Sequence, residues 1–201
     1  IHFRFSGFKL KRKIVIDIFA IGMSPFAIHV AASVVSIITN LELSKYGGDY
    51  SIGAYGIIGS IGMLVVMIVL GLTQGMQPIV GFNYGSKQYK RVTDTLILTI
   101  ICASIISFIG FFGSMIFPKA IARAFTTDQT LISATTHGMR ITMAVFFVVG
   151  FQITVSSFFQ YIGKAKTAIF LSLSRQVLFL IPLLLILPLF YGLDGVWIAL
   201  P

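Results

Sequence analysis

Few side chains in this sequence could do chemistry, and most of them lie inside apolar runs. Gln74, Gln77 and Pro78 fall within the stretch TQGMQPIV. Two amide side chains and a proline, which frees the carbonyl four residues before it, are poorly placed against hydrocarbon. The pattern predicts a broken or bent helix end whose polar groups face protein or water, or else a kinked structural helix. The polar turn Asn83–Ser86 and the basic run Lys87, Lys90 and Arg91 follow it. His29 lies mid-way along the first apolar run and Asn40 near its far end, with Gln152 and Gln160 in the fourth. A histidine at that depth serves either as a helix–helix hydrogen bond or as a protonatable contact for a solute. Arg175 lies about 12 Å into the fifth run at 1.5 Å per residue. It must pair or reach for the interface, and Asp17 and Asp94, near the cytoplasmic ends of other runs, are the available counterions.

These groups do not assemble into an enzyme. His2, His29 and His137 have no Asp, Glu or Cys at ligand spacing, so no metal site is expected. The sequence contains no nucleophile elbow, no paired carboxylates within an apolar run and no glycine-rich phosphate loop. Cys102 is the single cysteine, which excludes an internal disulfide.

The elements that must position the polar groups follow from composition. Of the 201 residues, 57% are hydrophobic and 10% charged, far below the roughly 25% charged residues of soluble domains. Apolar runs of about twenty or more residues predict an all-α integral membrane protein. The expected spans are 14–40, 52–82, 95–117, 138–161 and 168–191, with a sixth opening at 192–201. Residues 41–51 are expected as a Gly-Gly loop, and Thr127 or Asp128 as the cap of a short helix before the fourth span. Gly53, Gly56, Gly59 and Gly62 form a ridge of small residues suited to close helix approach. The net charge of +9 does not point to nucleic acid, because the basic residues sit in short loops between spans. Residues 1–13 carry five Lys/Arg, the 83–94 loop three and the 162–167 turn two, against three in the alternate loops. That asymmetry places the N-terminus in the cytoplasm. Residues 1–13 read as a basic amphipathic linker suited to a bilayer surface.

In this order, several blocks resemble the C-terminal half of multidrug and toxic compound extrusion (MATE) transporters, in their bacterial multidrug-efflux branch. They are GMSPFAIHVAASVVSIITN, YGGDYSIGAYGI, GLTQGMQPIVGFNYGSKQYKRV, AFTTDQTLI, SSFFQYIGKAKTAIFLSLSRQVLFLIPLLLILP and GLDGVW. The resemblance covers nearly all of 14–201. It implies one six-helix lobe, five complete spans plus the start of a sixth, of a twelve-helix, two-lobe transporter in the bacterial inner membrane. It further implies alternating-access export of cationic or amphipathic compounds in exchange for Na+ or H+, with an N-terminal lobe outside this chain as partner. His29, Asn40, Gln74, Gln77, Pro78, Gln152 and Gln160 are then candidates to line the substrate cavity, with Asp17, Asp94 and Arg175 as structural charges. Some sodium-coupled relatives carry carboxylates where this chain has Ala32 and Gly150, so the coupling ion is expected in the N-terminal lobe, and no cofactor is expected. The alternatives are a lipid-linked oligosaccharide flippase of the same architecture and a non-transporting membrane scaffold.

Overall fold

A computed structural model describes residues 12–164, 167, 170 and 173–200, and of residues 14, 17, 18, 20–25, 27 and 28 the backbone alone. Residues 1–11, most of the expected basic linker, and the Asp17 side chain lie outside the described residues. Among those described the chain is helical without strands. Helix α1 spans Arg12–Gly85 and is followed by α2 (Tyr89–Ile116), α3 (Pro118–Phe125), α4 (Gln129–Thr142) and α5 (Val149–Tyr161). A π-wound segment, Ser174–Leu180, runs into α6 (Ile181–Tyr191), and α7 (Leu193–Ala199) opens after a turn at Gly192.

Helix α1 holds two of the expected spans. Its 74 residues are interrupted at Gly48 alone, where φ is 64° and ψ −164°, a conformation that glycine reaches without a Cβ penalty. Thr39 and Tyr55 meet through their side chains across this break. Sixteen residues of straight helix would hold them about 24 Å apart, so the two arms fold back on each other as a hairpin. The expected 41–51 loop is therefore corrected to a one-residue break, with helical hydrogen bonding running up to it from both sides. Val35 and Leu43 from the first arm and Ala54 and Ile58 from the second share one core with Met139, Leu184 and Trp197.

The second arm also differs from expectation. Pro78 does not break it, and helical geometry continues to Gly85. Proline's fixed φ is compatible with a helix, and Pro78 lies on the exposed face, where its ring and the carbonyl of Gln74 can splay outward. The buried face of the arm is Val69, Thr73, Met76, Val80 and Asn83, spaced by alternating threes and fours as a helix seam requires. The expected 83–94 loop contracts to a tight turn. Ser86 N donates to Phe82 O at 3.0 Å and Gln88 N to Asn83 O at 2.8 Å, after which α2 starts at Tyr89.

The fourth span starts earlier than its hydropathy indicated and bends. Asp128 caps α4, its Oδ1 accepting from Thr130 N at 2.7 Å and Leu131 N at 3.2 Å. The helix it caps is the first arm of the bent span rather than a separate short helix. Its axis meets the following segment, Phe146–Tyr161, at 54°. Across the bend Ala144 N bonds Ile141 O and Phe146 N bonds Met143 O, the tighter three-residue winding. The sequence there, VFFVV, is β-branched and aromatic, a poor helix former.

The glycine ridge plays a different part from the one expected. Of its four members Gly53 alone is closely approached, a Cβ there standing 3.1 Å from Leu131 Cδ1 of α4; one at Gly62 would meet the side chains of Met143 and Phe146 at 3.5 Å or more, and one at Gly56 or Gly59 nothing within 4 Å. The close backbone approach comes elsewhere, where a Cβ on Gly150 would stand 2.3 Å from Ala103 O. Many large apolar side chains, among them Phe82, Phe112, Leu189 and Phe190, are exposed, as an exterior facing acyl chains demands.

Candidate functional site

The bend between α4 and α5 leaves room that a straight helix would fill. One cavity of about 480 Å³ is bounded by Val145, Val148, Val149, Gln152, Ser174, Arg175 and Phe179. A second, of about 360 Å³, adjoins it through Val145, Val149 and Arg175, and reaches Tyr55, Gly59, Gly62 and Thr142. Gly59 and Gly62 therefore make space for a void, while the bend supplies its other wall.

Arg175 sits where the two cavities meet. Its Nη1 donates to Gln152 Oε1 at 3.0 Å. The expected pairing with Asp94 does not occur. Asp94 is exposed in the first turns of α2, and among the described residues the carboxylate found against a basic side chain is that of Asp194, its Oδ1 2.6 Å from His137 Nε2. Arg175 is carried by the π-wound segment, which ends two residues before Pro182. Proline cannot donate to the carbonyl four residues earlier and its ring presses on that carbonyl, so wider winding just ahead of it relieves the conflict. The neighbouring Gln176 has a buried Oε1 without a partner. The arrangement offers a guanidinium, an amide, a phenol and two hydroxyls around an otherwise apolar void. That suits recognition of an amphipathic molecule by charge and hydrogen bonding.

A family model described as MatE matches residues 25–186. The chain belongs to the MATE family. It is 27% identical over 180 residues to the multidrug export protein MepA of Staphylococcus haemolyticus (strain JCSC1435), covering 90% of this chain and 39% of that protein. It is 25% identical over 188 residues to MepA of Staphylococcus aureus (strain bovine RF122 / ET3-1), covering 94% and 41%. The chain thus spans about two fifths of the length of these relatives. Among solved structures, the MATE multidrug transporter DinF-BH superposes with a TM-score of 0.83 at 41% identity, over 100% of this chain and 45% of that one. An outward-facing MATE family transporter of the MOP superfamily gives a TM-score of 0.86 at 21% identity, over 98% and 45%. The fold is that of one lobe of a two-lobe MATE transporter.

Within this MATE lobe, the structure brings Gln152 and Arg175 together and leaves the other candidates apart from them. His29 and Asn40 lie on the first arm of α1. Ser33 Oγ donates to His29 O at 3.0 Å and Asn40 Nδ2 to Ser36 O at 2.9 Å, so residues 29, 33, 36 and 40 form one polar stripe. Gln74, Gln77 and Pro78 occupy successive positions of an exposed strip on the second arm, opposite its buried seam. Gln160 is exposed near the end of α5. Gly150 is buried against α2 and lines neither void, while Ala32 is half-buried on α1. The sequence reading missed Tyr55, Thr142 and Ser174 as cavity walls. Only the bend and the π winding bring them into view, and neither has a strong local signature.

Proposed function

We propose that this chain forms one lobe of a secondary active transporter that exports cationic or amphipathic compounds by alternating access, in exchange for Na+ or H+. The observation that carries the reading is the pair of adjoining cavities at the bend, lined by Tyr55, Thr142, Gln152 and Arg175, in a MATE chain. Relatives named as multidrug export proteins support it. The polar stripe 29–40 and the exposed strip with Gln74, Gln77 and Pro78 would face the complementary lobe or the aqueous path between lobes. Polar groups on a lobe's flank are otherwise costly in lipid. The Lys/Arg asymmetry supports a bacterial inner-membrane location with the N-terminal side of the lobe in the cytoplasm. Glu42, Asp49, Asp94, Asp128 and Asp194 are all absent from the walls of the two cavities. With the Asp17 side chain outside the described residues, this supports, for the acids described, a coupling carboxylate in the complementary lobe.

Arg175 favours one second reading. A fixed cation in the void suits an anionic headgroup, as a flippase for lipid-linked oligosaccharides would need. Ethidium accumulation in cells with and without the whole protein separates the two. Export predicts lower accumulation with the protein present, and equal accumulation would reject it in favour of a flippase or a scaffold.

A further inference from the structure

Along one face of α4, from Gln129 in its first turn to Arg140 in its last, lies a separate pocket of about 340 Å³, whose chemistry differs from the rest of the molecule. In a chain with 10% charged residues, six of its seven lining residues are polar, Lys119, Gln129, Ser133, Thr136, His137 and Arg140, and Ile132 with the stems of the long side chains supplies apolar wall. The α4 residues among them recur every three or four positions, so one face of that helix is turned to the pocket. Lys119 faces them from α3.

Three features make this pocket attractive to an anion. First, no acid lines it, and among the described residues neither Lys119 nor Arg140 has a carboxylate within 4.0 Å. The two nearest acids are engaged: Asp194 with His137, and Asp128 with the Thr130 and Leu131 amides. Second, Lys119 stands in the first turn of α3, which contains no acid. A cation there opposes the helix dipole, and a bound anion would relieve both charges. Third, the Lys119 end of the pocket lies at the depth of a membrane interface, from which the pocket runs along α4 toward Arg140. Helix α2, with 28 residues, is about 42 Å long and exceeds a hydrocarbon core of about 30 Å. Its end at Ile116 therefore reaches the headgroup layer. Helix α3 then presents Lys119 and Arg123 between exposed Phe117 and Phe125, the pattern of a helix lying in the interface plane.

We propose that this pocket binds a phosphate group, with Lys119 and Arg140 as its charge partners, and that an anionic phospholipid headgroup is its source. The site does not depend on whether the protein exports anything.

The test is native mass spectrometry of the whole protein in detergent, with dioleoylphosphatidylglycerol as probe, uncharged dioleoylglycerol as control and inorganic phosphate as competitor. The phosphatidylglycerol adduct should exceed the dioleoylglycerol adduct and fall at least five-fold in K119Q/R140Q, while K119R/R140K retains it. Should the double variant fail to fold by circular dichroism, K119Q alone, altered at an exposed position, should still lose about half the adduct. Undiminished adduct in a folded variant overturns the site. Inorganic phosphate that binds as tightly as the lipid, and is lost in the same variants, would overturn the lipid as its source.

Discussion

Arg175 Nη1 donates to Gln152 Oε1 at 3.0 Å and so ties the π-wound segment of the fifth span to the second arm, α5, of the bent fourth. Both elements depart from regular α-winding, and this bond fixes their separation across the cavity. A hydrogen bond to a charged group contributes about 1.5–3 kcal/mol, and less is expected here because Arg175 is exposed. Gln152→Leu and Arg175→Met should each lower the unfolding midpoint in detergent. Their double-mutant cycle should show a coupling of about 1 kcal/mol or more. Strict additivity would mean that the pair does not form in the membrane-extracted protein.

Gly150 gives a prediction of opposite character. A Cβ there would stand 2.3 Å from Ala103 O and 2.5 Å from Ser107 Oγ, and backbone cannot swing aside as a side-chain tip can. Gly150→Ala should therefore destabilise the lobe by about 1–3 kcal/mol through separation of α2 and α5. Gly56→Ala, with nothing within 4 Å, should be neutral or stabilising by up to about 1 kcal/mol. Thermal unfolding of the two variants side by side checks this, and a neutral Gly150→Ala would refute the close approach.

The sequence and the structure part at identifiable places. Helical class, the number of apolar crossings and the Asp128 cap were legible because hydropathy and capping chemistry are local. The hairpin at Gly48 was read as a longer loop, because the Gly-Gly turn signal does not tell how far helical bonding runs up to it. Pro78 was read as a broken or bent helix end or else as part of a kinked structural helix, and the unbroken winding to Gly85 excludes the break, because a proline on an exposed face is accommodated by outward relief. The bend at 143–145 carries no proline and arises from a run of Val and Phe whose weak helix propensity is easily overlooked. Gln152 was singled out for its polarity and Arg175 for its charge. That they are each other's partner depends on the bend and the π winding together, which single-residue arguments do not reach.

The membrane orientation can be checked directly. Ser44 and Ser86 are both exposed and lie near opposite ends of the second arm of α1 and its hairpin. Single cysteines at these positions in a Cys102→Ser background should react with an impermeant thiol reagent from opposite sides, Ser86→Cys from the cytoplasm. Labelling of both from one side would overturn the assigned topology.

The last prediction concerns Gln77. It lies one turn from Gln74 and next to Pro78 on the exposed strip of α1, with Met76 and Val80 buried behind it against Val92. Because the seam, not the strip, holds the arm in place, Gln77→Leu removes polarity without loosening the packing. Stability should change by less than about 0.5 kcal/mol, as for surface substitutions away from special features. If the strip faces the path between two lobes, the same change takes away a hydrogen-bonding group that a solute or water would use. Ethidium export by the whole protein should then fall several-fold at unchanged protein level. Gln77→Asn, which keeps the amide, should lose less. Full export by Gln77→Leu would mean that the strip faces lipid or protein and that the path runs elsewhere, with the Arg175 cavity as the next place to probe.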